Sequence, residues 1–202
     1  MMTLQQLLQF PATPEIALLL MTCVILLLEL FAEQKSSLLT YTATQMSLLI
    51  TLALVIYLHH VPAQFLFHQH FTWDLVAYFI KLCIFIFSVF AFVYARDAIK
   101  TLQMHSGEYY LLGLFSILGM LVLTSANSLL SLYLGLELLS FPLYAMVALQ
   151  RQSSQAAEAA MKYFILGALA SGVFLYGLSL LYGATHSLIL LTIHQALLVG
   201  GQ

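Results

Sequence analysis

The sequence predicts an all-α, polytopic integral membrane bundle of about six transmembrane helices, and three observations carry that expectation. Of the 202 residues, 62% are apolar. Only 14 side chains are formally charged, 6 basic plus 8 acidic, where a soluble protein of this length would carry about 50. Mean hydropathy is +1.00. Together these exclude an ordinary soluble globule and a disordered tail, and a net charge of −2 leaves no basic footprint for nucleic acid. At ~20 apolar residues per span, the length accommodates about six helices with short connections as one transmembrane domain, residues 1–202, with no separate soluble domain.

The first apolar stretch covers about residues 15–33 and follows MMTLQQLLQFPATPE. That leader has no basic residue and no small-residue cleavage site, so the stretch reads as a retained helix rather than a signal peptide. After EQKSS the second stretch runs over about 38–58. The connection HHVPAQFLFHQHFTW carries His59, His60, His68 and His70, whose spacing fits a solvated loop better than a rigid metal site. The third stretch, about 74–95, ends at RDAIKTLQMHSGE, and the fourth covers about 109–125. A TSAN turn, in which Asn127 is placed to cap the next helix, leads to the fifth at about 128–149. QRQSS then leads to the sixth, at about 155–182. The remaining tail is apolar but short, suiting an interfacial helix or the approach to another span. Cys23 and Cys83 lie in apolar runs without a second sulfur nearby and read as small buried hydrophobes, with no metal or disulfide framework.

Loop charge sets orientation. Lys35, Arg96, Lys100 and Arg151 all follow odd-numbered helices, and no lysine or arginine lies in the amino terminus or after even-numbered ones. The positive-inside rule therefore predicts an outward amino terminus, periplasmic where the membrane is a bacterial inner membrane.

Two basic residues, Lys81 and Lys162, fall inside spans, as does Glu137. An ionisable group costs at least ~2.5–3.5 kcal/mol there and reads as functional by default. In the fifth stretch Tyr133, Glu137, Ser140 and Tyr144 share one helical face, a polar stripe on an otherwise apolar cylinder. Pro142 leaves the carbonyl of Leu138 without its helical donor and favours a kink one turn from the glutamate. In the sixth, Glu158 stands four residues before Lys162 in the favourable order for an ion pair. The turn at 151–154 makes these helices antiparallel neighbours, and residue counts put Glu137 and Lys162 at similar depths on facing helices. A carboxylate and an ammonium facing each other there can take up or release a proton when their pairing loosens, without a cofactor. Lys81 lies seven residues from Asp74 and is expected to snorkel toward the outer surface. Glu29 and Glu33 are expected at the inner interface.

The run GEYYLLGLFSILGMLVLTSANSLLSLYLGLELLSFPLYAMVAL, followed by EAAMKYFILGALASGVFLYGLSLLYGATHSL, resembles the antiporter-like membrane subunits of proton-pumping NADH–quinone oxidoreductase (complex I). The glutamate within LGLELLSFPLY, with no tryptophan before it, is similar to the subunit N type among them. The resemblance is dense over about residues 107–188 and looser before. It implies that Glu137 is the channel glutamate of the fifth helix and Lys162 the lysine of the sixth. It also implies a role in proton translocation driven by quinone reduction in other subunits, with other membrane subunits of complex I and the lipid bilayer as partners. NADH, FMN, iron–sulfur clusters and quinone would be handled elsewhere in the complex; this chain has no motif for them and is expected to bind no cofactor or metal. Family members have about fourteen helices in two inverted repeats. Six helices hold only the beginning of that plan, so these 202 residues alone are not expected to pump. The alternatives are a subunit of a related cation/proton antiporter, or a truncated, non-catalytic membrane piece.

Overall fold

The computed structural model describes residues 10–31, 37–101 and 106–200. Its helices are α1 (Thr13–Phe31), α2 (Ser37–Tyr57), α3 (Leu75–Thr101), α4 (Ser106–Thr124), α5 (Leu129–Val147), α6 (Ser154–Thr185) and α7 (Leu190–Gly200). Six of them are long and apolar enough to cross a membrane, as the sequence predicts, and the 11-residue α7 forms in the tail. Lys35 and Glu33 lie outside the described residues.

Helices α1 to α4 enclose the core, where Leu18, Leu48, Val55, Phe85, Tyr110, Leu114 and Leu121 are buried. Three buried hydroxyls of this core bond within their own helices, as hydrocarbon favours. Thr22 donates to the carbonyl of Leu18 at 2.7 Å, Thr44 to Thr40 at 2.8 Å and Ser88 to Ile84 at 2.6 Å. Helix α5 lies flat on α4 because Gly119 has no side chain: a β-carbon there would overlap the backbone of Leu138 and Leu139. Helix α6 packs on α5 and buries none of its own residues. Its 32 residues reach ~48 Å, beyond a ~30 Å hydrocarbon core.

Several sequence expectations change. The connection after α2 is not an irregular loop. It holds a 3-10 turn (Leu58–His60) and an antiparallel hairpin of β1 (Gln64–Leu66) and β2 (Phe71–Trp73). Phe67, His68 and Gln69 turn the hairpin with φ of 50°, 55° and 68°. The strand signal was short and sat among histidines, so alternation had too few residues to show. The cap of α5 is Ser128, whose Oγ accepts from the Ser131 amide at 3.1 Å; Asn127 instead donates its side chain to the Gln69 carbonyl at 2.8 Å. Cys23 and Cys83 face outward, not into the core. Helix α3 continues to Thr101, so Arg96 and Lys100 are helical.

Candidate functional site

The polar stripe of α5 meets α6. Helix α5 runs unbroken through Pro142, which is buried, and the proline withholds the amide that Leu138 would otherwise use. On the stripe, the Glu137 carboxylate accepts a hydrogen bond from the Ser171 hydroxyl of α6. The hydroxyl of Tyr133 lies 3.4 Å from the same serine, and its ring stacks on Phe174 with centroids 6.5 Å apart. One and a half to two turns further along, the Tyr144 ring meets the edges of Tyr163 at 4.7 Å and Phe164 at 5.8 Å. Gly167 makes room for it, because a β-carbon there would strike the Tyr144 hydroxyl and ring.

These groups line a cleft of about 210 Å³, with Tyr133, Glu137, Ser140, Tyr144, Gly167 and Ser171 on its walls. At ~30 Å³ of liquid volume per molecule, it has room for several waters. The Glu137 carboxylate and the four hydroxyls of Tyr133, Ser140, Tyr144 and Ser171 give such water its partners.

Lys162 does not join this cluster. Its Nζ lies 2.5 Å from Glu158 Oε1, and the two side chains are 70% and 65% exposed. The cross-helix contacts set the register: residue 144 opposes 163–167, and 137 opposes 171. Lys162 therefore stands nine residues (171 − 162) from the level of Glu137, ~13 Å along α6 at 1.5 Å per residue. Counting each helix from its own end of the turn placed the two groups too close in depth.

Lys81 also departs from expectation. It does not snorkel: its side chain is 0% exposed, and Nζ is 2.5 Å from Glu15 Oε1. The ammonium sits 4.6 Å from the Trp73 ring centroid and 4.9 Å from that of Phe71. Asp74, seven residues before Lys81, caps α3 by accepting from the Ala77 amide at 2.7 Å. Sequence reasoning assigned Glu15 no role, yet an acid opening one apolar span, with Lys81 in another span and no acid three or four residues from it, was the available signal. It also missed Ser171 as the partner of Glu137, because a serine in a small-residue helix reads first as packing. At the other end, Glu29 accepts from Thr40, and the guanidinium of Arg96 lies 4.8 Å from the Tyr41 ring centroid. Among the described residues no group of three or more His, Cys, Asp or Glu is arranged to hold a metal.

Comparison with known proteins gives this geometry its context. The family model "NADH:quinone oxidoreductase/Mrp antiporter, TM" matches residues 126–201, which contain Glu137, Lys162 and the whole cleft. NADH-quinone oxidoreductase subunit N of Thioalkalivibrio sulfidiphilus is 44% identical over 191 residues, covering 95% of this chain and 40% of its own length. Its counterpart from Halorhodospira halophila is 49% identical over 177 residues, covering 88% and 37%. The chain resembles subunit N. It spans about 40% of the length of these curated relatives. The respiratory complex I of Thermus thermophilus contains a chain that superposes on this subunit N-like bundle with a TM-score of 0.73 at 33% identity, covering 88% of this chain and 38% of that one. The fold is thus the antiporter-like membrane fold, and the protein is an integral membrane protein.

Proposed function

We propose that this chain serves proton translocation as part of the membrane arm of a respiratory NADH–quinone oxidoreductase. Redox chemistry would be carried out in other subunits that hold NADH, FMN, iron–sulfur clusters and quinone. The observation that carries the reading is the cleft in which the α5 stripe sets Glu137 against Ser171. Glu137 is the acid that accepts and releases the proton; Ser171, Tyr133, Ser140 and Tyr144 orient water around it. Lys162, paired with Glu158, is the next charged group on α6. Because ~13 Å separates their levels, protons pass between the two along water in the cleft rather than by direct contact.

In this reading the chain sits in a bacterial inner membrane with its amino terminus in the periplasm. Support comes from Arg96, Lys100 and Arg151, which all occur at the ends of α3 and α5 and obey the positive-inside rule. Glu137→Gln in the assembled complex tests the role: pumping is expected to fall while quinone reduction and assembly remain, and unchanged pumping in an intact complex refutes it. A second reading, a cation/proton antiporter subunit, is favoured by the other half of the matched family's description. Sodium-dependent exchange without NADH-linked activity would select it.

A further inference from the structure

The ammonium of Lys81 is the point where three separate elements converge. Glu15 reaches it from α1 at 2.5 Å, and Phe71 and Trp73 of β2 place their rings at 4.9 and 4.6 Å. Apart from each other, the carboxylate and the ammonium have no hydrogen-bond partner among the described residues. The aromatic faces therefore supply the rest of the cation's stabilisation, which makes the placement of β2 depend on the charge beneath it.

From β2 a continuous set of bonds leads to the helix that carries Glu137. Phe71 forms a β-bridge to Ala126, and the Thr72 amide donates to the Ser125 carbonyl at 2.9 Å. The Asn127 amide donates to the His70 carbonyl at 3.1 Å, and the Ser131 hydroxyl donates to that carbonyl at 2.9 Å. His70 Nδ1 lies 2.8 Å from the hydroxyl of Ser128, which caps α5. Glu137 follows that cap by nine residues (137 − 128) on the same helix.

We propose that the Glu15–Lys81 pair under Phe71 and Trp73 is a positioning site, fixing the outer hairpin and through it the seat of α5 and the surroundings of Glu137. The proposal rests on the reading of Glu137 as the proton-carrying acid, but its geometric part can be tested separately. Neutralising the node frees β2, loosens the 125–128 turn and alters the contact between Glu137 and Ser171.

The test uses the assembled complex in lipid vesicles and a hydrophobic carbodiimide, which reacts with buried carboxyl groups. Labelling of Glu137 is followed by peptide mass spectrometry across a pH series. Trp73→Leu removes one ring and keeps the ion pair; Glu15→Met with Lys81→Met removes both charges; Lys81→Arg keeps a cation in the node. The first two are expected to change the Glu137 labelling rate at fixed pH by about fivefold or more, the lower end of measured coupling between linked sites. Lys81→Arg is expected to stay close to the parent profile. A packing role alone would lower the yield of complex and leave the profile of the assembled fraction in place, and that result overturns the proposal. If the double variant does not accumulate, Trp73→Leu decides by the same criterion. Unchanged pumping in Glu137→Gln would sink the proton role of Glu137 while leaving the labelling comparison to judge positioning.

Discussion

Removing one member of the Glu15–Lys81 pair has an effect whose size follows from its surroundings. Lys81→Met leaves the Glu15 carboxylate, 7% exposed and without another hydrogen-bond partner among the described residues, as an uncompensated charge. Breaking such a pair costs about 3–5 kcal/mol. For a unit of 150–250 residues, 1 kcal/mol corresponds to ~2–4 °C, so the thermal midpoint should fall by about 6–20 °C. Glu15→Met is milder, because the stranded ammonium still lies between Trp73 and Phe71 and a desolvated cation–π contact returns ~2 kcal/mol. Together the two substitutions leave an apolar pair, which should stand within about 1 kcal/mol of the parent, since apolar replacement of a buried ion pair is often neutral. The assay is heat-induced release of the subunit from the complex in lipid nanodiscs, run as a double-mutant cycle. A coupling energy at or above ~3 kcal/mol is expected, the top of the ordinary range for contacting residues. Single effects that simply add in the double variant, or a midpoint unmoved by Lys81→Met, would refute the reasoning.

Two further outcomes are expected from the same geometry. Gly119→Leu sets a side chain against the Leu138–Leu139 backbone, which cannot rotate aside, so overpacking of about 1–3 kcal/mol should part α4 from α5 and lower both thermal midpoint and assembled yield. Arg151→Ala removes hydrogen bonds of 2.8 and 2.9 Å to Glu108, but with the arginine side chain 67% exposed the loss should stay within ~1 kcal/mol, giving a near-parent midpoint and retained pumping.

What the sequence disclosed divides by the range of the interaction. Periodicity and length located six spans, and the stripe from Tyr133 to Tyr144 was visible because helical spacing alone puts those residues on one face. Glu158 and Lys162 pair as their four-residue spacing implies. Failures came where partners are far apart in sequence. Glu15 and Lys81 are 66 positions apart (81 − 15) on helices brought together only in the folded bundle, so nothing local marks the acid as the partner of the lysine. Ser171 reaches Glu137 across 34 positions, and nothing local distinguishes it from a packing serine. The hairpin escaped notice for the opposite reason: two strands of three residues each are too short for alternation to stand out.

The separation of Glu137 from Lys162 bears on how a proton could pass between them. A slide of α6 by one turn, ~5.4 Å, would shorten the ~13 Å offset without closing it. It would also break the ties that hold α6 at both ends. At one end the six-residue connection 148–153 joins it to α5. At the other, the segment after it is bonded to the start of α5, with the Leu129 amide donating to the Leu188 carbonyl at 2.8 Å and the Leu190 amide to Asn127 at 3.2 Å. These end contacts, the packing of Tyr144 against Tyr163, Phe164 and Gly167, and the contact of Ser171 with Glu137 fix its height. A register shift would also replace Ser171 opposite the carboxylate with Gly167 or Leu175, neither of which has a hydroxyl to donate. The geometry therefore favours a fixed pair of helices with a wetted cleft between them over a sliding pair that brings the charges into contact.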